Sequence, residues 1–132
     1  MNEKVTLHVY LSYADAPAAL DWLSKVGFQV IARQDGSDGT VIHSELRCGD
    51  AVIMVASHDT EYEIPELRGM STGTGVYLCT ENPDAFYQRA VEAGATTVIS
   101  PETTPWGARR ARVLDLEGRE WTFGSYAPGQ SQ

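Results

Sequence analysis

Two stretches of the 132-residue chain decide its fold: residues 8–28, HVYLSYADAPAALDWLSKVGF, and residues 75–95, GVYLCTENPDAFYQRAVEAGA. They align without a gap at a constant offset of 67 residues (75 − 8), and the tripeptide Val-Tyr-Leu recurs in both. The alignment also places Asp15 on Asn82, and both residue types favour the start of a helix. The repeat predicts two copies of one supersecondary unit.

The helix in each copy is predicted by its boundaries and by one apolar stripe. Asp15 and Asn82 stand at the N-cap, each with a proline in the first turn, and Gly27 and Gly94 stand where the helices end. The residues that recur at helical spacing are Ala19, Trp22, Leu23 and Val26 in the first copy, and Phe86, Ala90 and Ala93 in the second.

Strand candidates surround each predicted helix. A β-rich run at Thr6–Ser12 precedes the first helix, and glycine-containing turns separate the later runs. The later runs are Gln29–Arg33, Thr40–Arg47 and Ala51–Ser57, then Thr96–Ser100, Arg110–Leu114 and Glu120–Tyr126. We therefore predict an α+β fold: a single domain, residues 1–132, of two βαβββ modules that form curved mixed sheets around a cleft. The modules span residues 4–57 and 74–126, and a polar linker spans residues 58–73.

The charge balance excludes several classes of partner. Ten Lys and Arg against 18 Asp and Glu give a net charge of −8, which opposes binding to nucleic acid or to an anionic membrane. Cys48 and Cys79 lack the spacing of a zinc site or a disulfide scaffold, and the role of Cys48 stays open. With no signal-peptide pattern and no long apolar run, we expect a cytoplasmic protein without membrane or nucleic-acid partners.

Three segments resemble the vicinal oxygen chelate superfamily, which comprises glyoxalases, bleomycin resistance proteins and dioxygenases. They are LSYADAPAALDWLSKVGF at residues 11–28, ELRCGDAVIMVAS at 45–57 and PWGARRARVLDLEGREWTFGSY at 105–126. The resemblance covers residues 4–126. It implies the fold predicted above. It does not single out one activity, because this family includes metal enzymes, thiol transferases and proteins that only bind a drug.

The metal-ligand positions of the family can be carried over one at a time. The resemblance places the first ligand on His8, which has a suitable side chain, and its counterpart in the second module on Gly75, which has none. The last-strand ligand falls on Thr122, and its counterpart on Ile53 or Met54. We therefore expect neither a metal nor another cofactor. A displaced site around the neighbouring pair His43 and Glu45 is the weaker alternative to a simple polar contact.

Alternation along the predicted strands indicates which side chains face the cleft. Leu7, Val9, Leu11, Trp121 and Phe123 are predicted to face the helices, and their neighbours, Glu120 among them, the cleft. Arg110 and Arg112 share one strand face, which is typical of a solvated or salt-bridged edge. With two loop residues added, the candidate ligand-binding residues are His8, Tyr10, Ser12, Met54, Tyr77, Trp106, Arg109 and Thr122. Their aromatic rings and polar groups fit a planar, partly apolar organic compound. The net charge of −8 favours a cationic or neutral compound over an anionic one.

Three functional hypotheses remain open at the level of the sequence. The favoured one is a binding protein that sequesters a planar aromatic compound or an antibiotic without metal chemistry, and hence is not an enzyme. The alternative is a metal-dependent lyase, isomerase or dioxygenase with rearranged ligands, and the third is a structural relative without a small ligand. By resemblance, we also expect a homodimer that exchanges βαβββ units between chains.

Overall fold

The computed structural model describes residues 6–58 and 74–129, which form two βαβββ modules. The first module contains β1 (Tyr10–Tyr13), α1 (Ala16–Val26), β2 (Gln29–Asp35), β3 (Val41–Cys48) and β4 (Ala51–Ser57). The second contains β5 (Gly75–Cys79), α2 (Pro83–Glu92), β6 (Thr96–Thr103), β7 (Arg109–Leu114) and β8 (Glu120–Gly124). Residues 59–73 of the predicted linker lie outside the described residues.

Each module builds one four-stranded mixed sheet, and the two sheets have the same topology. The strand order is β1-β4-β3-β2 in the first sheet and β5-β8-β7-β6 in the second. The first strand of each module pairs in parallel with the last, and the other pairings are antiparallel. This confirms the predicted α+β class. By Cα proximity, residues 25–27 group with the second module and the rest of α1 with the first. That residues 1–132 form a single domain stays a prediction.

The helix boundaries follow the predicted signals, with one difference. The Asp15 carboxylate accepts a hydrogen bond from the Ala18 backbone N–H at 3.1 Å, which confirms it as an N-cap. Asn82 makes no capping bond with its side chain. Its own N–H instead donates to the Thr80 hydroxyl at 3.0 Å. The signal that marks the start of α2 is therefore Pro83, at the first helical position. Gly27, with φ of 142°, follows α1 in a conformation that favours glycine.

The core of each module combines helix stripes with alternate strand residues. All four predicted residues of the α1 stripe are buried, as is Ala90 of α2. In the second module, the rings of Phe86 on α2 and Phe123 on β8 lie 5.7 Å apart between centroids. Trp121 and Phe123 are fully buried, so the predicted helix-facing side of β8 is confirmed.

The first strand differs from its prediction. The Thr6–Ser12 run was expected to be extended, but β1 comprises only Tyr10–Tyr13. Leu7, expected to face α1, is 93% exposed. Parallel register pairing with β4 begins at Tyr10–Met54, and the Val9 carbonyl still accepts a hydrogen bond from the Met54 N–H at 2.9 Å. Leu7 lies before this pairing, so the alternation of a paired strand does not apply to it. Within the described residues, no helix is long and apolar enough to span a bilayer.

Candidate functional site

The second module contains a cavity of about 550 Å³ on the sheet face that is turned away from α2. Its walls come from β5, β7 and β8 and from the loop before β7. The lining residues are Gly75, Val76, Tyr77, Thr104, Trp106, Ala108, Arg109, Arg110, Arg112, Glu120, Thr122 and Tyr126. Tyr77, Trp106, Arg109 and Thr122, four of the eight predicted site residues, are therefore brought together in one cavity.

Strand register explains how the floor of the cavity is assembled. Tyr77 on β5 pairs with Thr122 on β8, and Thr122 pairs with Arg112 on β7. Paired residues in neighbouring strands point to the same face, so these three side chains form one row across the sheet. Their neighbours along β8, Trp121 and Phe123, point to the buried face that packs against α2.

Two glycines on this face leave space for large neighbouring side chains. A Cβ atom added to Gly124 would lie 2.5 Å from the Tyr77 hydroxyl oxygen, so the Tyr77 ring lies directly over that glycine. A Cβ atom added to Gly75 would lie 2.7 Å from Glu120 Oε1. Gly75, which the resemblance placed at a lost metal-ligand position, thus accommodates the carboxylate of Glu120.

The Tyr77 hydroxyl is held at one end of the cavity. It donates a hydrogen bond to the backbone carbonyl of Tyr126 at 2.5 Å. Burial raises the pKa of Tyr77, and the nearby Cys79 shifts it in the same direction. The phenol therefore stays protonated well beyond neutral pH and presents its ring, together with that of Tyr126, to the cavity.

Trp106 is displayed on a tight loop at the rim. The Thr104 hydroxyl accepts a hydrogen bond from the Ala108 N–H at 3.0 Å, and the Thr104 N–H donates to the Ala108 carbonyl at 2.7 Å. Gly107, with φ of 91°, closes the turn. The loop is fixed by its own hydrogen bonds, yet the Trp106 side chain is 68% exposed. An exposed indole on a fixed loop is available to stack on a flat ligand.

Arg109 is already engaged by an acidic partner. Its Nε and Nη2 donate to the two carboxylate oxygens of Asp84 at 2.9 and 2.8 Å. This hydrogen bonding lowers the pKa of Asp84 and raises that of Arg109. Arg109 therefore contributes mainly the outer part of the wall, because its donors are directed towards α2.

Sequence analysis missed two arginines of the cavity floor. Arg110 and Arg112 were interpreted as a solvated or salt-bridged edge, and Arg110 does pair with Glu102 at 2.7 Å. Arg112, by contrast, donates through Nε to the Thr122 hydroxyl at 2.9 Å inside the cavity. The signal that could have located them is the β7–β8 hairpin, because its turn at Gly118 sets Arg112 opposite Thr122.

The other four predicted residues lie in the first module. Tyr10 and Met54 are register partners, so they share one sheet face, and Glu45 extends this row on β3. Ser12 is half-buried two residues beyond Tyr10. His8 precedes β1, where its Nδ1 donates to the Val52 carbonyl at 2.8 Å. These residues do not line the cavity described above.

His8, His43 and Glu45 are the possible metal ligands that sequence analysis singled out. Among residues 6–58 and 74–129, no three His, Cys, Asp or Glu side chains are grouped as a metal site would require. His8 Nε2 lies 3.1 Å from the Thr6 hydroxyl, and its other nitrogen bonds the backbone. His43 Nε2 contacts Glu45 at 2.8 Å, which fits a polar contact within β3.

Comparison with known proteins identifies the family. The sequence model of the Glyoxalase/Bleomycin resistance protein/Dioxygenase superfamily matches residues 6–123. The chain therefore belongs to this superfamily, as the three segments quoted above indicated.

Individual proteins are similar to this chain in sequence or in fold. The uncharacterized protein Mb0911c of Mycobacterium bovis is 31% identical over 134 aligned positions, covering 94% of this chain and 85% of that protein. The crystal structure of TioX from Micromonospora sp. ML1 matches with a TM-score of 0.74 and 32% identity, over 94% of this chain and 100% of that one. The bleomycin resistance determinant encoded on transposon Tn5 shares the fold at 18% identity, with a TM-score of 0.64 and coverage of 92% and 97%.

Proposed function

We propose that this protein binds a small planar organic compound in the cavity of its second module, without metal chemistry. The observation that carries the proposal is the grouping of Tyr77, Trp106 and Tyr126 around one cavity, beside the polar side chains of Arg112 and Thr122. A volume of about 550 Å³ lies within the usual range for sites that bury a small molecule. Aromatic walls favour flat ligands, and a few fixed polar groups orient them.

The family supports sequestration as the purpose of binding. A protein of the same fold is a bleomycin resistance determinant. We therefore propose that the ligand of this chain is an antibiotic or a planar metabolite. Within this proposal, His8, Tyr10, Ser12 and Met54 of the first module remain candidate ligand contacts. A cytoplasmic location also remains part of the proposal.

Tryptophan fluorescence tests the proposal directly, because the three tryptophans differ sharply in exposure. Trp22 and Trp121 are 1% and 0% exposed, whereas Trp106 is exposed at the cavity rim. We expect a planar ligand from a screen of aromatic drugs to quench one part of the emission, with saturation. Trp106→Phe should abolish that quenching, while calorimetry still detects binding weakened several-fold. Saturable binding that leaves Trp106 emission unchanged would place the ligand elsewhere.

Metal analysis tests the second half of the proposal. Purified protein dialysed without chelator should hold far less than one Ni, Zn, Fe or Mn per chain, because three of the four positions carried over lack a suitable ligand. Ligand binding should be unaffected by EDTA. A stoichiometric metal that is lost in His8→Ala would restore the hypothesis of a metal-dependent lyase, isomerase or dioxygenase.

A homodimer with exchanged modules completes the proposal. It is supported by the exposed Leu7 and by large apolar side chains at the surface of both modules, including Tyr10 and Val98. Sedimentation at micromolar concentration should show a species of twice the chain mass of 14.4 kDa. A compact monomer would contradict the dimer but not the binding function.

A further inference from the structure

We infer that the ligand presents a neutral edge with a hydrogen-bond acceptor beside a donor, as a carboxamide or a lactam does, to Arg112 and Glu120. This inference rests on the proposed function and names the class of compound that the same cavity takes. It differs from the expectation drawn from net charge, which favoured a cationic or neutral compound without naming its polar group.

Glu120 is a carboxylate at the cavity wall without a hydrogen bond to any described residue. Its side chain is 14% exposed, and its nearest cationic atom is Arg112 Nη1 at 3.8 Å from Oε2, too long for a hydrogen bond. The absence of a side chain at Gly75 lets the carboxylate lie against the β5 backbone. A carboxylate largely removed from water gains from a ligand that donates an N–H to it.

Arg112 is positioned as the complementary donor. Its Nε bond to Thr122 at 2.9 Å orients the guanidinium plane, and Thr122 is held in register between β5 and β7. Its Nη atoms make no hydrogen bond to the described residues, so they are available to an acceptor in the cavity. Fixing one edge of the guanidinium while leaving the outer edge open is how an arginine recognises a planar group with direction.

The neighbouring arginines show why this pair differs from an ordinary surface ion pair. Arg109 makes two hydrogen bonds to Asp84, and Arg110 contacts Glu102 at 2.7 Å, so in both of those pairs the two charged groups bond each other directly. In the Arg112–Glu120 pair, the Glu120 carboxylate and the Arg112 Nη atoms make no hydrogen bond to the described residues and can bond a ligand. The charges of the pair cancel, so a ligand anion attracted by Arg112 is opposed by Glu120, and a ligand cation attracted by Glu120 is opposed by Arg112. A neutral group with both functions satisfies the two together.

Four naphthalene probes of nearly equal shape test this specificity by calorimetry. They are 2-naphthamide with acceptor and donor, methyl 2-naphthoate with acceptors only, 2-naphthoate as an anion and naphthalene-2-carboxamidine as a cation. We expect the carboxamide to bind roughly tenfold more tightly than each of the others, since a hydrogen bond to a charged group has about that effect. Tightest binding by the anion or the cation, or equal affinities, would overturn the inference.

A variant pair assigns the preference to Glu120. Glu120→Ala should reduce the advantage of 2-naphthamide over the methyl ester to about twofold or less, because the donor then has no partner. Glu92→Ala removes the same charge from α2, outside the cavity, and should leave the advantage unchanged. Equal loss in both variants, or retention in Glu120→Ala, would contradict the assignment.

The experiment separates this inference from the proposed function. If planar drugs quench Trp106 but the four probes show no carboxamide preference or do not bind, the inference falls and the binding function stands. If neither the drug screen nor the probes give saturable binding, the proposed function fails, and the inference fails with it.

Discussion

Trp121→Leu should lower the free energy of unfolding by about 3 kcal/mol and the melting temperature by roughly 10 °C. Trp121 is fully buried on the face of β8 that is turned to α2, where a smaller side chain leaves a cavity. Its indole N–H also donates to Asp115 Oδ2 at 3.0 Å. Asp115 is itself buried and accepts from the backbone N–H groups of Glu117 and Arg119, so the substitution also weakens the β7–β8 turn.

The matched control is the same substitution at an exposed tryptophan. Trp106→Leu should change the free energy of unfolding by about 0.5 kcal/mol or less, because its side chain remains largely in water. Urea denaturation followed by far-UV circular dichroism measures both variants. Equal destabilisation of the two, or loss of ligand binding by a fully folded Trp121→Leu protein while Tyr77→Leu binds normally, would show that the faces of β8 are assigned the wrong way round.

Gly124→Ala should weaken ligand binding by about tenfold or more while the protein stays folded. The added methyl group would lie within 2.5–2.9 Å of three atoms of the Tyr77 side chain, so the ring must leave its place. Because Tyr77 is partly exposed, the ring can swing away at modest cost in stability. Tyr77 then loses the hydroxyl contact with Tyr126 that holds its ring in place, and the ligand loses an aromatic wall. A tenfold weakening corresponds to about 1.4 kcal/mol of binding free energy.

Gly36→Ala provides the steric control for this experiment. A Cβ atom there would lie 2.7 Å from the Thr40 hydroxyl, a similar overlap, but the site is a turn of the first module outside the cavity. Calorimetric titration should show unchanged affinity for Gly36→Ala and a weakened one for Gly124→Ala. Tyr77→Leu should itself weaken binding several-fold, and normal affinity in both cavity variants would remove Tyr77 from the site.

More of the architecture than of the candidate site could be predicted from the sequence. The gapless repeat indicated two equivalent modules. The glycine after each helix and the Asp15 cap are local signals, since each determines the backbone only within a few residues. Alternation along β8 correctly separated Trp121 and Phe123 from Thr122, because a strand inside a hydrogen-bonded ladder keeps a strict period of two. The same rule was wrong for Leu7, which lies before the ladder begins.

The roles of the arginines could not be read from their own segment. Arg109, Arg110 and Arg112 alternate along one strand, and their spacing fits a salt-bridged edge as well as a cavity floor. The difference lies in partners on other elements. Asp84 on α2 pairs with Arg109 and Glu102 on β6 pairs with Arg110, while Thr122 on β8 orients Arg112. Strand register and side-chain packing determine which of these arginines bonds a carboxylate directly and which keeps donors for a ligand.

By itself, then, the sequence determined two βαβββ modules, their helix boundaries and the inner face of β8, because caps, glycines and apolar periodicity act locally. Only the tertiary structure decided that Gly124 makes room for Tyr77 and Gly75 for Glu120, since a glycine's missing side chain has no neighbour until the strands pair. The physical reason is that a cavity is defined by which side chains meet across strands. Some of those contacts join residues far apart in the sequence, as between Tyr77 and Tyr126, which are 49 positions apart.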